Sequence, residues 1–101
     1  MPFLVERRLR AVGRRLGALR QELAIADEQL AHFADISDGL DAPLMVYNWP
    51  HGCSVDIGPD LAARIADVGN VVAFKDSTPD QAQFFETTRR VVGRVRIFGP
   101  F

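Results

Sequence analysis

The sequence predicts an α/β fold built on a small parallel sheet, and three observations carry that expectation. Short apolar runs at 43–48, 71–75 and 95–98 alternate with stretches of helical period. The middle run, Val71-Val72-Ala73-Phe74-Lys75, is continuous rather than alternating, as expected of a parallel strand covered on both faces. An octet also recurs: residues 68–75 (VGNVVAFK) align with residues 92–99 (VGRVRIFG) at four of eight positions, offset by 24. A helix opening with Pro-Asp precedes each copy, so the pattern reads as successive βαβ units.

Each element has its own signal. Residues 3–24 read as a helix, because Val5, Leu9, Val12, Leu16, Leu19 and Leu23 recur at spacings of 4, 3, 4, 3 and 4. Residues 27–40 read as a second helix. Asp27 and Glu28 suit its first turn, Leu30, Phe33 and Ile36 or Ser37 keep the period, and Gly39 and Pro43 end it. Pro43 to Asn48 reads as a strand and 49–58 as a loop. Pro59 suits the first position of a helix over 59–68, with Leu61, Ile65 and Val68 facing inward. After the 71–75 strand, Thr78 fits an N-cap and Pro79 the first position of a helix over 79–92. Phe84, Phe85, Thr88, Val91 and Val92 would lie near its buried side, and Val95 to Phe98 forms the last strand.

With 101 residues and a net charge of -1, the chain is a single small domain of ordinary soluble composition. No apolar run approaches the ~20 residues that cross a bilayer, so no membrane role is expected. One cysteine, Cys53, forms no internal disulfide and fits a reducing compartment, which points to the cytoplasm. Residues 1–20 carry a net +5 and residues 21–101 a net -6. The basic stretch reads as a solvated helix face. It lacks the interleaved aromatics that stack bases, so nucleic acid is not an expected partner.

Eleven arginines and one lysine make Lys75 stand out, at the end of an apolar run. Alternation puts Val71, Ala73 and Lys75 on one face and Val72 and Phe74 on the other. If the first face points into a barrel, desolvation there favours the neutral amine that acts as a nucleophile. The plainer reading is a lysine reaching into water from a strand end. Tyr47 ends its own strand in the same way, sharing a face with Met45. It can serve as a proton donor and acceptor or simply fill the rim of the core. Adjacent parallel strands would bring Tyr47 and Lys75 side by side at the carboxyl ends, where α/β folds gather ligands. Gly99 is expected to hold the place of Lys75 in the next unit. Asn48 is expected to contribute backbone, and Asp76, Ser77 and Thr78 to cap the following helix. His51 and Cys53 flank Gly52 in a loop, and a lone His-x-Cys makes no metal site.

Tyr47-Asn48-Trp49-Pro50, followed 28 residues after the tyrosine by Lys75 and then Asp76-Ser77, resembles the signature of the dihydrodipicolinate synthase / N-acetylneuraminate lyase family. The similarity runs from about Asp27 to about Gly99. It implies a partial (β/α)8 TIM barrel with about three parallel strands, the fifth to seventh of eight. Residues 1–24 form an Arg-rich amphipathic helix outside the match, and 25–101 form a partial barrel lyase domain. The resemblance implies that Lys75 condenses with pyruvate or a related 2-keto acid to give an imine, and that Tyr47 relays protons. It places Gly99 beside the substrate, requires no metal or organic cofactor, and implies a homo-oligomer for the full-length family. Asn48 and His51 are further candidate substrate-binding residues, His51 if the Gly52 loop overlies the barrel mouth.

Departures from the family qualify this. Gly52 stands where true dihydrodipicolinate synthases carry an Arg that holds a substrate carboxylate, which favours another branch of the family. A keto-sugar-acid dehydratase working through the same imine is the alternative within the fold. The Gly-Thr-Thr-Gly-Glu loop and the segment bearing a second tyrosine are absent. The expectation is therefore a truncated fragment with little activity alone. The reading from another class is a non-catalytic α/β fragment with a basic interaction helix.

Overall fold

The computed structural model describes residues 2–99. It contains α1 (Pro2–Gly39), β1 (Leu44–Asn48), α2 (Pro50–Cys53), α3 (Pro59–Ile65), β2 (Val71–Asp76), α4 (Gln81–Val91) and β3 (Arg96–Phe98). The strands form one parallel sheet in the order β1-β2-β3. All three expected strands are present within a residue or two of their expected ends.

The two helices expected over 3–24 and 27–40 are one 38-residue helix. Nothing in Ala24-Ile25-Ala26 breaks a helix, and the apolar stripe crosses the junction in phase: Leu23 is followed by Ala26, Leu30 and Phe33. The second half of α1 packs against the core through those last three residues. Its end is tied down by Asn70, whose side-chain amide donates to the carbonyl oxygens of Ser37 (2.8 Å) and Leu40 (2.7 Å). The Asn70 backbone N–H donates to Ser37 Oγ (2.9 Å). These bonds satisfy carbonyls that a helix end leaves without partners. The first half of α1 runs out beyond the body, and the molecule is 61 Å long but 30 by 26 Å across.

The core lies between one face of the sheet and helices α1, α3 and α4. Val46, Val71 and Phe74 from the sheet meet Leu61, Ala62 and Ile65 from α3 and Val91 from α4. α3 opens as expected, with Pro59 at its first position and Gly58 as cap. α4 does not open as expected. Its N-cap is Asp80, whose side chain accepts from the N–H of Gln83 at 3.1 Å, and Thr78 Oγ1 instead accepts from Asp80 N–H (3.2 Å). A carboxylate at that position is the stronger acceptor, so the helix begins two residues late. Thr87 rather than Thr88 is buried, one turn before buried Val91, while Phe85 and the C-cap residue Val92 are exposed.

One irregularity rearranges the faces of β2. Leu44 pairs with Val71, but Met45 pairs with Ala73, so Val72 is an extra residue in the ladder. The bulge exchanges Val71 and Val72 between the faces, and leaves Ala73 and Lys75 opposite Phe74 as the alternation implies. Val71 joins Phe74 on the helix-covered face, while Val72, Ala73 and Lys75 lie toward the other. Phe74 is 1% exposed at the centre of the core. Phe74→Ala is expected to destabilise the fold by about 3–5 kcal/mol, read as a lowered midpoint in chemical denaturation followed by circular dichroism.

Candidate active site

Parallel pairing brings the two singled-out side chains together. Tyr47 and Lys75 are direct register partners. Lys75 Nζ lies over the Tyr47 ring, 4.9 Å from its centroid, within the range of a cation–π contact. The Tyr47 hydroxyl accepts a long hydrogen bond from Ser77 Oγ (3.4 Å). An amine, a phenol and a second hydroxyl thus share the carboxyl-end rim of the sheet. Tyr47 is 44% exposed and Lys75 is partly buried. Met45, Val72 and Phe98 on the same face are about half exposed, so the enclosed apolar surroundings expected for Lys75 are here an open sheet face.

Asn48 contributes its side chain, contrary to the expectation of a backbone role. It is 1% exposed. Its Nδ2 donates to Asp76 Oδ1 (3.0 Å), Asp56 Oδ1 (3.1 Å) and the Ile57 carbonyl (3.3 Å). Its Oδ1 accepts from Ile57 N–H (2.9 Å), and its carbonyl accepts from Ser77 N–H (2.8 Å). One amide therefore fastens the ends of β1 and β2 to each other and pins the returning loop at Ile57. Tyr47 precedes Asn48 and Lys75 precedes its register partner Asp76, so this network holds both backbones in place.

Asp76 is more than a capping residue. It is fully buried, and its Oδ1 accepts from Asn48 and from Thr78 N–H (3.1 Å). Its Oδ2 has no hydrogen-bond partner among the described residues. Burial pushes its pKa above the ordinary carboxylate value. The bonds from Asn48 and Thr78 oppose that shift, and repulsion from Asp56 adds to it. The signal legible in the sequence was an Asp two residues before Thr78, a spacing that suits a local turn.

The remaining candidates are placed differently. The register partner of Lys75 on β3 is Phe98, not Gly99. A Cβ at Gly99 would point at the Phe84 ring of α4, 3.5 Å away, on the opposite side of the sheet from Lys75. His51 is exposed on α2, a short helix in the segment expected to be loop, and no hydrogen bond among the described residues ties it to the Lys75–Tyr47 pair. Trp49 is the variable position of the Tyr-Asn-x-Pro motif, yet it packs beside the site. Its indole lies 6.0 Å from the Tyr47 ring, centroid to centroid, and covers Gly52. A Cβ at position 52 would come within 2.3 Å of the indole carbons, so any side chain there must displace the ring. A Gly three residues after a Trp was the only hint. Among the described residues no three metal-ligating side chains converge, and no helix is long and apolar enough to cross a membrane.

Residues 24–99 match the Dihydrodipicolinate synthetase family. The chain belongs to this family. Similar curated proteins are named 4-hydroxy-tetrahydrodipicolinate synthase. That of Thermomicrobium roseum is 40% identical over 63 residues, 62% of this chain and 21% of that protein. That of Phenylobacterium zucineum is 44% identical over 50 residues, 50% of this chain and 17% of that protein. Among solved structures, the chloride-inhibited dihydrodipicolinate synthase of Acinetobacter baumannii, complexed with pyruvate, superposes with a TM-score of 0.68 at 27% identity. The match covers 73% of this chain and 25% of that one. The fold is accordingly part of a (β/α)8 barrel, and the chain spans about a fifth of the length of the curated relatives it matches.

Because the folded-state pKa of Asp76 is raised, its protonated form is the one the fold favours. Its contribution to stability is fully present below the unfolded value of ~4 and is lost as pH rises through the folded value. Asp76→Asn, which cannot ionise, is expected to flatten this part of the stability profile. Urea midpoints measured from pH 4 to 7 check it: the wild type should lose stability with rising pH relative to the variant.

Proposed function

We propose that this chain carries the reacting centre of a Schiff-base-forming lyase acting on pyruvate or a related 2-keto acid. Lys75 is the nucleophile. Its neutral amine adds to the keto carbon and the carbinolamine loses water to give the imine. Loss of the adjacent proton then gives an enamine, whose carbon attacks an aldehyde to form a carbon–carbon bond (or, in reverse, is released when that bond breaks) or expels a β-hydroxyl as water. Tyr47 passes protons to and from the developing carbinolamine oxygen, and Ser77 is the next hydroxyl in line. The observation that carries this reading is the register pairing that sets Lys75 Nζ over the Tyr47 ring. Family membership supports it, as does the pyruvate complex of the Acinetobacter baumannii protein.

The substrate branch is a finer part of the proposal. The curated relatives are named as synthases, yet position 52 here is a glycine under the Trp49 indole and supplies no guanidinium. That favours a substrate whose far end is not clasped by an arginine at position 52, as in a keto-sugar-acid dehydratase. The exposed free thiol of Cys53 is consistent with a reducing cytoplasm, and a homo-oligomer is the expected assembly of the full-length protein.

Borohydride reduction in the presence of pyruvate tests the chemistry, because it traps even a slowly formed imine. Intact mass and peptide mapping should show one reduced pyruvate per chain at Lys75, none in Lys75→Ala, and trapping slowed by roughly 10²-fold or more in Tyr47→Phe. Unmodified Lys75 under conditions that leave the fold intact overturns the proposal. Turnover by this span alone should be small, because the open sheet face admits water to the imine. Chromatographic assay of pyruvate-dependent product checks that expectation.

A further inference from the structure

The first half of α1 carries an apolar stripe with nothing against it. Val5, Leu9, Val12, Leu16, Leu19 and Leu23 are each more than half exposed. Leu9, Leu16 and Leu23 recur every seven residues, and so do Val5, Val12 and Leu19, the a and d positions of a heptad. The stripe continues in the same phase into Ala26, Leu30 and Phe33, which are seated on this chain's own core. Past the edge of the body the same seam has no occupant. Gly13 and Gly17 lower the intrinsic helicity of this stretch, so packing must sustain it.

We infer that the stripe pairs with its own counterpart on a second copy, as an antiparallel two-stranded coiled coil centred near Arg14. With Leu9, Leu16 and Leu23 at a and Val5, Val12 and Leu19 at d, an antiparallel alignment matches every layer: Val5 with Leu23, Leu9 with Leu19, and Val12 with Leu16 of the second copy. No apolar position is left over, which is the self-complementarity a two-fold contact requires.

The flanking charges select this direction. In the antiparallel alignment Arg8 faces Glu22 of the second copy, and Glu6 faces Arg20, each twice by symmetry. Gly13 meets Gly13 beside the axis, and Arg15 meets Arg15 as the one like-charge contact. A parallel alignment would instead set Arg15 against Arg20 twice, with no attractive pair, and Glu22 toward Asp27, which Arg64 of its own chain already pairs at 2.7 Å. Arg7, Arg10 and Arg14 line the opposite side of the helix and remain in water. Each body then lies beyond the far end of the partner's helix. The paired segment, residues 5–23, falls outside the family match at 24–99, so this contact is a property of this chain.

Sedimentation of the full chain from micromolar to submillimolar concentration tests the pairing, with circular dichroism confirming the fold of each variant. A monomer–dimer equilibrium is expected. Leu16→Glu should abolish it. Glu22→Arg, at an exposed position that does not touch the core, should weaken the dimer by roughly tenfold, and adding Arg8→Glu should restore it. A parallel coil would respond in the opposite sense, because Glu22→Arg would then face Asp27 and tighten it. A monomer at every concentration overturns the inference, whether or not it binds DNA or anionic vesicles. So does a dimer indifferent to Leu16→Glu, or one strengthened by Glu22→Arg.

Discussion

The parallel pairing of β1 with β2 is the constraint on which the rest of this structure depends. A tyrosine and a lysine 28 residues apart acquire a common chemistry only because their strands end at the same level. The pairing is guarded where it would most easily slip. Asn48 spends both ends of its amide on partners from β2 and the returning loop, out of reach of water. Buried polar groups of this kind stabilise little in net terms, but they penalise any alternative register heavily, because each slip orphans several of them at once. The bulge at Val72 serves the same end. It lets Val71 join the core while Lys75 stays on the face of Tyr47.

The two faces of the sheet are used differently. One is closed by three helices around Phe74 and carries the stability. The other bears Met45, Tyr47, Lys75 and Phe98 and is open. Lys75 is accordingly partly open to water rather than enclosed. Asp76, immediately after Lys75, illustrates the contrast. It points into the helix-covered side, where burial favours its neutral form, while its neighbour points toward solvent. The strand's pleat thus sets an acid and an amine in unlike environments one residue apart.

The long helix has two roles along a single stripe. Its second half is part of the core, and its end is capped by Asn70 from the loop before β2. Its first half presents the same kind of residues to water. A helix of this length with an unburied seam is a structural element awaiting a surface, and its charge pattern fits a copy of itself.

Much of this was legible in the sequence. Continuous apolar runs, proline-opened helices and the internal repeat located all three strands and their parallel order. The rarity of lysine, with the Tyr-Asn-x-Pro spacing, singled out the pair that the structure brings together. What stayed hidden depends on contacts between distant residues. The stripe of α1 was plain, but whether two helical stretches join rests on an unbroken phase that periodicity alone does not separate from two helices. The start of α4 turned on a competition between Thr78 and Asp80 that propensity does not decide. The bulge at Val72, the reach of the Asn48 side chain and the indole over Gly52 have no local signature, since each is set by what another segment places beside it. Residue order therefore determined which elements form and which side chains could react. Only tertiary packing decided the register, the faces and the burial, because these follow from the mutual exclusion of side chains far apart in the chain.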